Sequence, residues 1–286
     1  MNNLTLYQFH NTWRLKTVSL LLLTSSISFA QGSVISVNEP RPLAKAAELL
    51  ERKYGVRIAY EDATYAYGGD LVDKTDQKYK QTHPSAKVLI PKTGALTIVL
   101  PVGLAASEGL GATANPAPTI QTAIETHMAN GYPGEFKLIS TVNGDAFDIV
   151  PTGVRSAAGV VVADRSPLET LISFPNIQRN AMDTLKLICN NVSIATGKTI
   201  TLGMLPKDLS QQQIQMGTNA EPARDVLARL FDGRTWADSH NIAKIPKLSW
   251  ALLYGPDLEI YGLNVRIVMA DVASPNGLKK LRPVMQ

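Results

Sequence analysis

A few residues of this 286-residue chain are of types that carry chemistry. Thr196-Gly197-Lys198-Thr199 has the ending of a phosphate-binding loop, in which backbone amides wrap the phosphates and the lysine neutralises them. Such a loop needs a glycine five residues before Gly197, and Val192 stands there. Ala105-Ala106-Ser107-Glu108-Gly109 places a serine two residues before a glycine, as a nucleophile elbow does. Alanine holds the place of the elbow's first glycine, and Asn115-Pro116 opposes the helix that must follow. The histidines, His10, His83, His127 and His240, offer no i, i+4 pair for zinc. Cys189 is the single cysteine and has no disulfide partner in the chain. Glu61-Asp62 with Asp70, Asp73 and Asp76 could gather a divalent cation, but Lys74, Lys78 and Lys80 balance them as in a solvated loop. The expectation is therefore no catalytic residue, no cofactor and no metal. The alternative is an exported enzyme of unknown reaction, its site built from Asp62, Tyr65, Tyr67 and the loop 103–118.

The elements that would hold these residues occur twice. When the chain is displaced by 142 positions, Gly55 falls on Gly197. Leu43, Ala46, Ala47 and Leu50 then fall on Leu185, Ile188, Cys189 and Val192. Each set is the i, i+3, i+4, i+7 stripe of a helix that a glycine stops, since glycine enters the left-handed conformation without steric cost. Beyond each glycine the period changes from helix to strand, at Ile58 and Tyr60 and at Ile200 and Leu202. The displacement turns Gly197-Lys198-Thr199 into a helix stop followed by a strand, and Cys189 into a core residue matched by Ala47.

The rest of the pattern predicts a strand at 34–37, an exposed excursion over 61–84, strands at 87–91 and 96–102, and a helix from Thr119. A hairpin over 136–150 turns at Asn143-Gly144, a pair suited to positive φ. The second half repeats the order with strands at 171–174, 199–202 and 214–216, a helix from Glu221, and strands at 248–254 and 258–268. Residues 152–167 read as a linker in which Val160 to Ala163 could form a strand, and 271–286 as a frayed polar tail. The expected fold class is α+β: two similar small modules, each of two βα units with a terminal β-hairpin.

Residues 1–16 hold Arg14 and Lys16 and no acid, and an apolar run from Thr17 to Phe29 ends in Ser28-Phe29-Ala30. This is the layout of a secretory signal peptide over 1–30, cleaved after Ala30. The mature chain is expected to be soluble, in the periplasm or secreted. A formal charge of +4 with scattered lysines and arginines excludes a nucleic-acid stripe as the leading reading.

The segments PLAKAAELLERKYGVRIAYED and AEPARDVLARLF with LSWALLYGPDLEIYGLNVRIV resemble the short N-terminal domain shared by secretins and TonB-dependent receptors. The likeness spans residues 34–151, with an inserted loop between 61 and 87, and 168–270. It implies a duplicated periplasmic module that docks a protein partner of the cell envelope without catalysis, as an accessory of an outer-membrane secretion or receptor system.

Overall fold

Gly55 and Gly197 both close helices in the left-handed conformation, with φ of 66° and 69°. Their amides bond back to Glu51 O and Ser193 O, four residues earlier in each helix. The computed structural model describes residues 33–92, 94–101, 115–141, 145–232, 246–273 and 279–285. The expected signal peptide, the Asn143-Gly144 turn, His240 and most of the loop 103–118 lie outside them.

The first half runs β1 (Val34–Val37), α1 (Pro42–Tyr54), β2 (Arg57–Glu61), β3 (Leu71–Asp73), α2 (Gln77–Thr82), β4 (Leu89–Pro91), β5 (Leu96–Val99), α3 (Ala117–Ala129), β6 (Glu135–Ser140), β7 (Ala146–Arg155) and β8 (Val161–Ala163). The second runs β9 (Leu171–Asn180), α4 (Ala181–Thr196), β10 (Thr199–Leu202), β11 (Gln213–Pro222), α5 (Ala223–Phe231), β12 (Leu248–Gly255), β13 (Ile260–Ile267), β14 (Met269–Ala273) and β15 (Lys279–Pro283). The fold is α+β, and the repeat is visible in its topology. In each half the strand before the first helix pairs antiparallel with the strand before the last, β1 with β5 and β9 with β11. The strand after the first helix pairs parallel with the last strand of the terminal hairpin, β2 with β7 and β10 with β13. Even one hydrogen bond is duplicated: the Ile58 amide donates to Glu51 and the Ile200 amide to Ser193, both pairs 142 residues apart.

The halves share one sheet, ordered β10-β13-β12-β2-β7-β6, with β8 added to β7. Within it β12, β2 and β7 run one way and β13, β10 and β6 the other. The three-strand set of one half thus becomes that of the other by a half-turn about an axis across the strands plus a shift along it. A half-turn also exchanges the faces of the sheet, and the helices obey it. His127 of α3 meets Phe136 edge-on at 5.3 Å on one face, where Glu51 of α1 bonds Arg266. Phe231 of α5 packs on Trp250 at 5.8 Å on the other.

Four expectations change. β2 is buried along its whole length rather than on one face, because the second half covers the Arg57 and Glu61 face with Trp250 and with Arg224 of α5. The excursion after Glu61 begins inside the protein: Asp62, Ala63, Tyr65 and Asp70 are buried. Residues 271–273 and 279–285 of the tail are not frayed, since β14 and β15 pair antiparallel and Val268, Ala270 and Val284 form their own small core. Residues 152–167, expected as a linker, carry the end of β7, the strand β8 and a 3₁₀ turn at Pro167–Glu169. β7 passes through Pro151 where its pairing with β6 is irregular, a place where the missing amide is tolerated.

The join between the halves is short in backbone terms. β12 and β2 pair at Ala251 with Tyr60 and Leu252 with Glu61, and the Asp62 amide adds one bond to Leu252 O at 2.8 Å. Side chains supply the rest. Arg224 of α5 grips Glu61 with two hydrogen bonds of 2.6 and 2.8 Å. Arg266 of β13 bonds both oxygens of Glu51 at 2.9 and 3.2 Å and the Ile58 carbonyl at 3.0 Å. Arg57 lies over the Trp250 ring at 4.7 Å. Removing one partner of such a pair leaves a desolvated charge behind. Glu61→Ala is expected to lower stability by roughly 3–5 kcal/mol in urea unfolding, and Glu61→Leu with Arg224→Leu by clearly less.

Candidate functional site

Asp62 and Tyr65, the pair that an enzyme reading would use, do converge, but in the interior. The Tyr60 and Tyr65 hydroxyls donate to Asp62 Oδ1 at 2.8 and 2.6 Å, and the Tyr254 amide donates to Oδ2 at 3.0 Å. Arg41 donates to both Asp62 Oδ2 and the Tyr254 carbonyl. Burial, then the adjacent carboxylate, raise both phenols far above the usual tyrosine range. Burial alone would lower Arg41, but Asp62 and the phenols raise it overall. Every oxygen of the carboxylate is satisfied by the protein, and neither described groove is lined by it. This cluster ties the entry to α1 and the end of β2 to the end of β12. Arg41 holds φ at 58°, a conformation that costs a side-chain-bearing residue about 1 kcal/mol and that its ion pair offsets.

The other candidates disperse. Tyr67 lies elsewhere, facing the Arg155 guanidinium at 5.4 Å. Asp70 pairs with Arg155 and Asp73 with Lys80. Lys198 sits 5.7 Å from the Tyr261 ring centre, with Asp164 at 4.0 Å. Cys189 is buried, and burial pushes its thiol up to about 12. His127 is buried, its Nε2 is 3.0 Å from Pro133 O, and burial lowers its pKa. His83 is exposed and stacks on Tyr79. No group of three or more His, Cys, Asp or Glu capable of holding a metal occurs among the described residues.

Asp148 is a carboxyl raised to about 6. Burial is the main cause, opposed by Arg57 at 3.7 Å and reinforced by Glu61. A carboxyl whose folded pKa exceeds its unfolded value of about 3.9 favours folding when protonated, so stability declines as pH rises from about 4 to about 6. The Asp148→Asn protein should lose that part of the slope, on the order of 3 kcal/mol, when unfolding free energy is measured between pH ~3.5 and ~7.

Exposure, rather than chemistry, marks out the hairpin of β7 and β8. Ser156 and Gly159 close its turn, with the Gly159 amide bonding Ser156 O at 2.7 Å and Gly159 at φ 80°. Arg155, beside the turn, bonds Asp70, and at the other end Asp164 accepts from the Thr64 amide at 2.7 Å. Among the described residues β8 pairs only with β7, and Val160, Val161 and Val162 are 63%, 53% and 44% exposed. Neighbouring strand residues point to opposite faces, so both faces of β8 present valine to solvent. Beside it lies a groove of ≈ 220 Å³ lined by Val161, Val154, Met128, Tyr132, Glu135 and Arg155, among others. The valine run was visible in the sequence as a strand, but its exposure was not.

Family profiles, curated proteins and solved structures were each compared with the chain, and none matches it. No helix among the described residues is long and apolar enough to cross a membrane. Because the valines contribute little to the core, Val160→Lys with Val162→Lys should change unfolding free energy by no more than ~1 kcal/mol, measured in urea with far-UV circular dichroism unchanged.

Proposed function

We propose that the chain is an exported, non-catalytic interaction protein of the cell envelope, built from two repeats of the secretin and TonB-receptor N-terminal type, that docks a protein partner. The observation that carries this reading is the bare β8 edge. An unpaired strand edge normally carries charge, proline or a bulge against unwanted pairing. Val160 to Val162 has none of these, and its backbone offers a partner strand a row of hydrogen bonds, with the groove beside it for side chains. The repeat topology of a strand, a helix, a strand, then a strand, a helix and a hairpin, supports the family likeness. The interior placement of Asp62 and Tyr65 speaks against the enzyme alternative.

The test is photocrosslinking from position 161 in envelope extract, followed by affinity measurement with the recovered protein. Val160→Lys with Val162→Lys is expected to weaken binding at least ~10-fold while leaving the fold intact. A partner held equally well by that variant, or crosslinks confined to other surfaces, would refute docking at β8.

A further inference from the structure

We propose that copies of this chain associate head to tail, the β6 edge of one copy pairing in parallel with the β10 edge of the next. This continues between chains the sheet that the two halves already share within one. It is independent of the docking read at β8, which uses another edge.

The half-turn relation supplies the geometry. β12 and β6 are equivalent hairpin strands, and β2 and β10 are equivalent strands after a helix. Inside the chain β12 pairs parallel with β2. Among the described residues β6 and β10 end the sheet with one side unpaired, and they run in the same direction. A second copy shifted along the sheet axis therefore presents β10 to β6 as β2 is presented to β12, with helices on the corresponding faces.

The register follows from the pairings within the sheet. Leu252 lies opposite Leu263, and Leu263 opposite Leu202; Leu138 lies opposite Ile149, and Ile149 opposite Tyr60. Tyr60 and Leu202 are 142 residues apart, so Leu138 is the counterpart of Leu252 and Lys137 of Ala251. The internal pairs Ala251 with Tyr60 and Leu252 with Glu61 then become Lys137 with Leu202 and Leu138 with Gly203 of the next copy. Ile139 falls beside Met204, whose side chain is among the most exposed apolar groups of the protein. The β10 edge, Thr199 to Leu202, carries no charge to repel a strand.

The carboxylates that cement the internal join are absent at the free end. Glu51, Glu61 and Asp62 correspond to Ser193, Gly203 and Met204. Association between copies thus rests on backbone pairing and a few apolar contacts, which makes it weak and reversible. The contact joins two different edges and so does not close at a dimer.

The test uses cysteines placed on opposite edges of separate full-length chains. Lys137→Cys mixed with Leu202→Cys should form a mixed disulfide under mild oxidation, increasingly with concentration. Lys137→Cys with Lys186→Cys, on the exposed side of α4, should not. Buried Cys189, with its thiol pushed up to about 12, does not compete. The pair Ile139→Cys and Met204→Cys tests the same register if Leu202→Cys fails to fold. A chain carrying both Lys137→Cys and Leu202→Cys should give a ladder beyond dimer, and the unmodified chain should sediment faster with concentration without a plateau at dimer. Crosslinking no greater than the control, a Lys137→Cys homodimer as the dominant product, or a sedimentation coefficient constant with concentration would each overturn the proposal.

Discussion

The buried join of β2 to β12 governs the rest of this structure. The two strands share few backbone pairings, and carboxylate–arginine pairs at the join link the halves: Glu51 and Glu61 from the first half, Arg266 and Arg224 from the second. Burying a charge is costly unless it is paired and fully hydrogen-bonded. Each carboxylate here meets its arginine in a two-point grip. Burial raises the pKa of Glu51 even so, with Arg266 opposing it. The join is therefore specific in register as much as it is adhesive, since a slip of one residue would strand every one of these charges.

That constraint also explains how the repeats diverged. The shared skeleton of stripe, glycine stop and strand is kept, while the residues facing the join differ between halves. Ser193 still accepts the amide that Glu51 accepts in the first half, but it has no arginine to hold. Asp62 has become the hub for Arg41, Tyr60, Tyr65 and the Tyr254 backbone. Carboxylates and tyrosines brought together in this way can look catalytic when only their types are considered. In space they are saturated by one another and closed to a substrate.

With Asp62 and the glutamates of the join absorbed in the interior, backbone edges remain open at the surface. β8 combines a single-sided pairing, exposed β-branched side chains and an adjoining groove. The ends of the main sheet at β6 and β10 repeat the polarity of the internal join without its charges. A protein assembled by adding strands to strands is thus equipped to add further strands from outside, by the same hydrogen-bonding that holds it together.

The local code for the helices and their stops was legible in the chain. Leu43, Ala46, Ala47, Leu50 and their counterparts face the core, and Gly55 and Gly197 take the one conformation for which glycine is favoured. Those features depend on neighbours within a turn or two, so they could be read from spacing alone. By the same logic the repeat makes Gly197 a helix stop and Cys189 a core residue, the places their counterparts Gly55 and Ala47 hold. The burial of both faces of β2, the inward turn of Asp62 and Tyr65, the pairing of β14 with β15 and the exposure of β8 were decided only by tertiary structure. Each depends on residues outside its own element: Arg224 on Glu61, Tyr254 beside Asp62, Lys247 bonded to Val284, and the lack of any strand beyond Val162 among the described residues. Spacing along one chain reports the period of an element, and the partner that covers its other side belongs to the fold.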